Sequence, residues 1–345
     1  MKRLRRGMID LFIVLVGSTL LLSTAVRVPR VSAAPTPANQ VLEWNQIFTD
    51  TRIATNTPNS SSQRLGAIVH TAIFDAYNGI EQRYTPMFVE PAAPQEASPE
   101  AAAIGAAYNV LVDLFPAQQS ELDPEYAASL ETLSESCSCP ERMKLGIDWG
   151  TEVGRAVLAW RATDEFSASY PAFTGGTAVG QWRPTLPASG PMSAQGLAFT
   201  SMFVLTSNSQ FRPAPPRALD SATYAADFNA DGNPNTTSDF SWLPLVNTPS
   251  HPEYPAGHPG QNGAAAAVLL NQFSHDAQTF TLTTTGQPDR TYSSIANARA
   301  DGNNARIWGG MHYPSTIEIS DAMGATIADY VNRNAMRPLR PGNDR

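Results

Sequence analysis

Lysine is almost missing from this chain: its 345 residues include Lys2 and Lys144 and no other. All basic residues together number 23 against 31 acidic ones, a net charge of −8, which argues against nucleic acid or an anionic membrane surface as partner. Cysteine is scarce as well, with only Cys137 and Cys139, both in the polar segment SESCSCPE. A Cys-x-Cys ring closes almost no loop, so a disulfide there would stabilise little, and nothing nearby supplies the further ligands of a metal site. The pair reads as exposed and without catalytic work. Long apolar runs are limited to Leu11–Leu22, shorter than the roughly 20 residues a spanning helix needs.

That run sits in a leader. MKRLRR is a basic start, Leu11–Leu22 an apolar centre, and Val31-Ser32-Ala33 a small-x-small ending, which together predict a signal peptide over residues 1–33. Its removal takes away six basic residues and one acidic one, moving the net charge to −13 and leaving Lys144 as the single lysine. The mature protein is therefore expected to be secreted or extracytoplasmic, with no membrane attachment after cleavage. Residues 34–345 are enough for a sizeable core and are read as one helical domain.

The fold class is all-α. Val41, Leu42, Trp44, Ile47 and Phe48 recur at helical spacing over about 39–54, and Leu65, Ile68, Val69, Ala72, Ile73, Ala76 and Ile80 form a broader stripe in the next segment. The serines before Leu65 are expected to cap it. His70 and Asp75 fall within this helix, five residues apart and so on different sides of it; His70 reads as a core or supporting residue. Further helices are expected over 100–114, 125–133 and 141–163, with Pro116 and Pro124 breaking the chain between the first two of them.

From Asp164 to about Ser250 the texture turns to Gly, Pro, Ser, Thr and aromatic residues, the composition of a surface wrap that builds a site. Asp227, Asn229 and Asp231 match the opening of a calcium-binding loop. Ser238 stands at the twelfth position in place of the bidentate Glu, and Pro234 at the eighth, so a plain Asp/Asn/Gly turn is preferred to calcium. A short β-prone patch, TFTLTTTG, precedes a helical run over 292–304. A last helix is expected over 316–334, and the tail RPLRPGNDR is expected to fray.

Two segments carry chemistry. In HPEYPAGHPG, prolines and glycines fix a turn that leads into GQNGAAAAVLLNQF, so Gly257 and His258 stand at a helix entrance where free N–H groups and the helix dipole favour an anion. In ARIWGGMHYP, Arg306 and His312 flank Gly309-Gly310, and Pro314 closes the turn. A guanidinium fork, one histidine able to attack or ligate and another able to move a proton make an oxyanion site. The residues alone are compatible both with phosphoryl transfer through His312 and with a vanadate that activates peroxide.

PEYPAGH with its Ala-rich helix, followed by ARIWGGMHY, resembles the secreted bacterial vanadium-dependent haloperoxidases, which share a helical fold and an active site with the PAP2-type acid phosphatases. QRLGAIVHTAIFDAYNGIE, GQWRP, SQFRPAPPRALDSATYAADFN and DGNPNTTSDFSWLPLVNTPSHPEYP are similar to that family's segments in the same order. The resemblance implies a vanadate, or a phosphate substrate, with His312 as the vanadium ligand or phosphatase nucleophile, Arg306 and Gly257 on the oxyanion, and His258 as acid/base. The implied partners are small molecules: peroxide and halide, or a phosphoester.

The departures matter as much. Ala256 and Ala305 replace serines of the family pattern, and Thr316 stands where an aspartate usually orients the metal-binding histidine, with Glu318 a displaced substitute. The family's first motif, a lysine seven residues before an Arg-Pro, is missing. Leu205 precedes Arg212 by seven, Gly176 precedes Arg183, and Lys144 is followed by Thr151. YAADFN runs almost directly into DGNP, which reads as a deletion at Ala230. Losing two charge-assisted contacts of about 1.5–3 kcal/mol each weakens anion affinity by roughly two to four powers of ten. Arg183 and Arg212 are the nearest compensating candidates and read as structural clamps. A degenerate member that binds an anion weakly, or a protein partner, is the third reading.

Overall fold

Asn39 caps the first helix: its side-chain oxygen accepts the N–H groups of Val41 and Leu42 at the start of α1 (Gln40–Ala54). The computed structural model describes residues 39–339 except 138, 186–189, 229–243, 246, 274–275, 277–278 and 285–286. The leader, the junction at Ala230 and the calcium-loop positions Asn229 and Asp231 lie outside these residues.

Helix α2 (Asn59–Glu81) starts after Pro58 without a side-chain cap. The serines expected to cap it lie inside its first turn, because Pro58 already sets the entry and Ser62 turns its hydroxyl back onto the Pro58 carbonyl at 3.1 Å. Helix α3 (Pro99–Leu114) has Ser98 as its cap, bonded from Ala101 N–H at 3.2 Å. Pro124 does not break the chain: it sits inside α4 (Gln119–Ser136), close enough to the start that little of the ladder lies upstream to be lost. Cys137 and Cys139 are joined as a disulfide ahead of α5 (Pro140–Ala162). The small alanines of α3 at 101–103, 106 and 107 are fully buried and let α2 and α5 close on it around Trp44, Ile68, Val110, Val153 and Val157.

The irregular wrap is pinned to this bundle by charge. Asp164 accepts from both Arg64 and Arg161, each at 2.6 Å, and Arg161 also bonds the Ser201 carbonyl at 2.6 Å. Although burial pushes the Asp164 carboxyl up, its bonds from Arg64, Phe166 N–H and Arg161 hold it below its usual range. Asp75, buried in α2, accepts the N–H groups of Met87, Phe88 and Val89 and shapes the turn that follows.

The second half contains α6 (Ala222–Phe228), α7 (Gly257–Gln272), strands β1 (Phe280–Thr284) and β2 (Gln287–Tyr292), α8 (Ile295–Trp308) and α9 (Pro314–Asn334). The β-prone patch thus forms an antiparallel hairpin in an otherwise helical protein, Phe280 opposite Tyr292. Helix α8 begins later than the sequence pattern suggests, at the Ser294 cap, and runs on through Arg306. The tail does not fray at once: Thr85 N–H bonds the Arg337 carbonyl at 2.8 Å and Leu339 N–H the Arg83 carbonyl at 2.9 Å. No helix among the described residues is long and apolar enough to cross a membrane.

Helices α7 and α9 touch backbone to backbone. A Cβ on Gly324 would come within 1.9 Å of the Gly260 carbonyl oxygen, and one on Gly263 within 2.0 Å of the Asp321 carbonyl oxygen. Gly260, which reads as a turn residue in the sequence, is therefore inside a helix, and with Gly263 and Gly324 it permits an approach that no side chain allows. The seam is tied by Ala256 N–H on the Ser320 hydroxyl at 2.8 Å, while Asp321 accepts from Arg299 and from Asn303 of α8. Gly324→Ala is expected to destabilise the protein by about 2–3 kcal/mol, read as a lower denaturation midpoint. An unchanged midpoint would show that the two helices are not this close.

Candidate anion-binding site

The site lies where the seam ends. Gly257 and His258 occupy the first turn of α7, where the leading N–H groups have no intrahelical acceptor. Ala256, the cap residue, is buried and offers a methyl group where a hydroxyl would cap the turn. A Cβ on Gly257 would meet nothing within 4 Å, so open space adjoins this turn. Arg306 ends α8, and its carbonyl oxygen accepts the N–H groups of Met311 and His312 at 2.9 and 3.4 Å, folding the Gly309-Gly310 turn back on itself. Gly310 takes φ +72°, a conformation that favours glycine there.

His312 is buried and its orientation is set from one side. Its Nδ1 lies 2.8 Å from the Glu253 carbonyl oxygen. A carbonyl can only accept, so Nδ1 carries a proton, and in the neutral ring the lone pair is on Nε2. That Nε2 is buried and has no partner among the described residues, and the same holds for Arg306 Nε. Each such atom is a costly feature, at about 1–3 kcal/mol, unless a ligand meets it.

His258 is half-buried. Burial first, then the charges of Arg306, His312 and His251, hold its pKa below the ordinary value. The three residues singled out in the sequence are therefore in one electrostatic neighbourhood, and a fourth joins them. His251 stacks on His312 with ring centroids 6.3 Å apart and planes 18° apart. Burial lowers the pKa of Arg306 as well.

Glu253 is the residue that sequence reasoning overlooked. Besides its carbonyl, its carboxylate accepts Tyr313 N–H at 2.9 Å and the Thr316 hydroxyl at 3.0 Å, and lies 3.5 Å from His312 Nδ1. The carboxylate sought at Thr316 or Glu318 comes instead from the PEYP turn, and Thr316 serves as its hydrogen-bond donor. Glu318 is exposed. The signal was present in the sequence only as an acidic residue in an otherwise apolar turn. Asp227 is committed elsewhere, accepting Ser315 N–H at 3.1 Å and the Ser315 hydroxyl at the start of α9, with Arg217 at 3.5 Å.

Lys144 pairs with Asp148 at 2.6 Å on the exposed side of α5. Arg183 is exposed and donates to the Thr177 carbonyl at 2.7 Å, a clamp within the wrap, and Arg212 is exposed. His70 bonds Asn45 at 3.0 Å in the first half of the protein.

Residues 216–341 match the family described as the VCPO second helical-bundle domain. The structure is similar to that described as the first bacterial vanadium-dependent iodoperoxidase, with a TM-score of 0.69 and 19% identity over 89% of this chain and 100% of the other. Apo- and holo-type bacterial vanadium-dependent chloroperoxidases align with TM-scores of 0.58 and 0.56 at 11% and 12% identity, over 79% and 87% of this chain and 92% and 94% of theirs. No curated protein sequence matches the chain.

Two measurements check the site. In an NMR titration without anions His258 is expected to show a pKa below 6.5 and to rise when phosphate is added. Because the folded value is depressed, this group contributes stability at pH above its unfolded value and loses it as pH falls through the folded value; a midpoint at or above 6.5 would disperse the cluster. Glu253→Ala is expected to release Tyr313 and Thr316 and to weaken phosphate binding about tenfold, whereas Glu253→Gln, which keeps an acceptor for one of them, is expected to lose less. Equal binding by both variants and the parent would remove Glu253 from the site.

Proposed function

From the vanadium haloperoxidase fold and the second helical-bundle domain that the chain carries over residues 216–341, we propose that it is an exported, vanadate-dependent haloperoxidase. The single observation behind this reading is the pair of buried, unpartnered nitrogens, Arg306 Nε and His312 Nε2. A lone pair and a guanidinium donor suit an oxyanion with an electrophilic centre, and they fit vanadate: His312 Nε2 would ligate the vanadium, and Arg306 would bind its oxygens together with the N–H groups at Gly257 and His258. Bound vanadate supplies the activation of hydrogen peroxide that oxidises a halide to hypohalous acid.

The protein's own groups do the rest. The Glu253 carbonyl keeps the proton on Nδ1 of His312 and the lone pair on Nε2. His258, disposed to be neutral by burial and by its cationic neighbours, is able to accept a proton from an incoming peroxide and hold it on the imidazole ring. The N-terminus of α7 offsets the negative charge of the bound oxyanion. With the lysine and the Arg-Pro of the family pattern missing, fewer cations share that charge, and affinity is expected to lie roughly two to four powers of ten below that of a complete site.

A phosphomonoesterase of the PAP2 type is favoured by the same free Nε2, which would attack phosphorus as a nucleophile. Calorimetry and turnover separate the readings. The protein is expected to bind orthovanadate, to lose that binding at least tenfold in His312→Ala, and to halogenate a dye with peroxide and bromide or iodide once vanadate is added. Hydrolysis of an aryl phosphate without peroxide chemistry would move the assignment to the phosphatase. Failure to bind either anion, in a folded sample, would leave only the scaffold.

A further inference from the structure

Far along the chain from the anion site, α2 presents one face to two adjoining cavities. The first, about 460 Å³, has Arg64, Ala67, His70 and Thr71 on its α2 wall, with Phe203 and Val331 among the residues that complete it. The second, about 370 Å³, continues past His70, Phe74, Tyr77 and Glu81. His70 and Met336 line both, so the two cavities adjoin at these side chains and lie end to end as a groove along α2. Positions 64, 67, 70, 74, 77 and 81 follow the three- and four-residue steps of a single helix face. At 1.5 Å per residue the groove runs about 25 Å along α2. Its rim is apolar and accessible, with Val41, Tyr77, Tyr84, Leu197 and Met336 each more than a third exposed. Contiguous apolar surface of this kind marks a place where something binds.

Charge says what. Arg64 is the one charged side chain on the first cavity's wall. It shares Asp164 with Arg161, so two guanidinium groups face one carboxylate and one positive charge is left over beside an apolar wall. Arg161 is buried between the rings of Trp160 and Phe203, out of reach of a ligand. Arg64 spends Nε on Asp164 and one terminal nitrogen on the Arg161 carbonyl at 3.0 Å, and its guanidinium lies 4.7 Å from the Phe166 ring centroid; its other terminal nitrogen has no hydrogen-bond partner among the described residues. At the far end Glu81 and Arg83 balance each other. Burial lowers the pKa of His70, so the middle of the groove carries no added charge near neutral pH.

We infer that this groove binds a single-chain carboxylic amphiphile, a fatty acid, with its carboxylate on Arg64 and its hydrocarbon chain along α2 past His70 and Met336. An uncharged chain would leave the surplus charge unanswered, and a cationic one would add to it. The site uses none of the residues assigned to the anion site, so it stands or falls independently of the haloperoxidase reading.

Calorimetry of the whole protein with dodecanoate, below its micelle concentration, tests it. Dodecanoate is expected to bind one per chain at micromolar strength, at least tenfold tighter than dodecanol or dodecyltrimethylammonium. Met336→Glu places a negative charge at the junction on a partly exposed residue and is expected to cut dodecanoate binding at least tenfold with an unchanged circular dichroism spectrum. Arg64→Gln is expected to abolish the preference for carboxylate over alcohol; should that variant not fold, Ala67→Phe, which fills the first cavity without touching the ion cluster, is expected to block dodecanoate. Equal affinity for the three amphiphiles, no binding at all, or dodecanoate binding undiminished in Met336→Glu would overturn the assignment.

Discussion

Everything at the anion site depends on the contact between α7 and α9, where backbone meets backbone with no side chain between. Gly260, Gly263 and Gly324 allow the approach, and the Ser320 hydroxyl receives Ala256 N–H at its end. This seam fixes where the first turn of α7 stands relative to the residues that enter α9. His258 rides on the one and His312 leads into the other. A helix pair held at the ordinary distance of 8–10 Å by side chains would separate the two histidines' supports and open the turn between them.

The site is held from outside by groups that do not touch an anion. Glu253 bonds both ends of the segment from His312 to Thr316, Asp227 fastens Ser315, and Asp321 binds α8 to α9 through Arg299 and Asn303. Carboxylates thus do the positioning around the arginine and the imidazoles. The result is a site with two open positions: an orphaned guanidinium donor and an orphaned imidazole nitrogen, both buried. Unmet polar atoms of this kind are stable only where the surrounding fold over-determines them or where a ligand completes them.

The same logic recurs in the first half with a different outcome. There Asp164 is shared by Arg161, deeply buried, and Arg64, which lines a groove. The ion cluster anchors the irregular wrap through the Ser201 carbonyl, so its first role is structural. The surplus charge is a consequence of using two arginines where one carboxylate is available.

Much of this was legible in the residues. Apolar spacing located α1, α2, α3, α5 and α9 closely, since a buried stripe at 3.6-residue period leaves few alternatives. Gly257, His258, Arg306 and His312 were readable because turn residues, a helix start and chemically specific side chains coincide in short segments. What the residues could not reveal is which carboxylate would reach His312: Glu253 lies 59 positions away, and only the chain's path brings it there. Pro124 inside a helix, the pairing of Arg337 and Leu339 with the residues around Tyr84, and the use of glycines as a helix seam were likewise invisible, because each depends on a neighbour distant in sequence. Sequence alone determined the helical class and singled out Gly257, His258, Arg306 and His312 as candidates for an anion site, since period and residue chemistry are local properties. Tertiary structure decided how those groups are oriented, which are satisfied and which are left open, since that is settled by contacts between segments far apart along the chain.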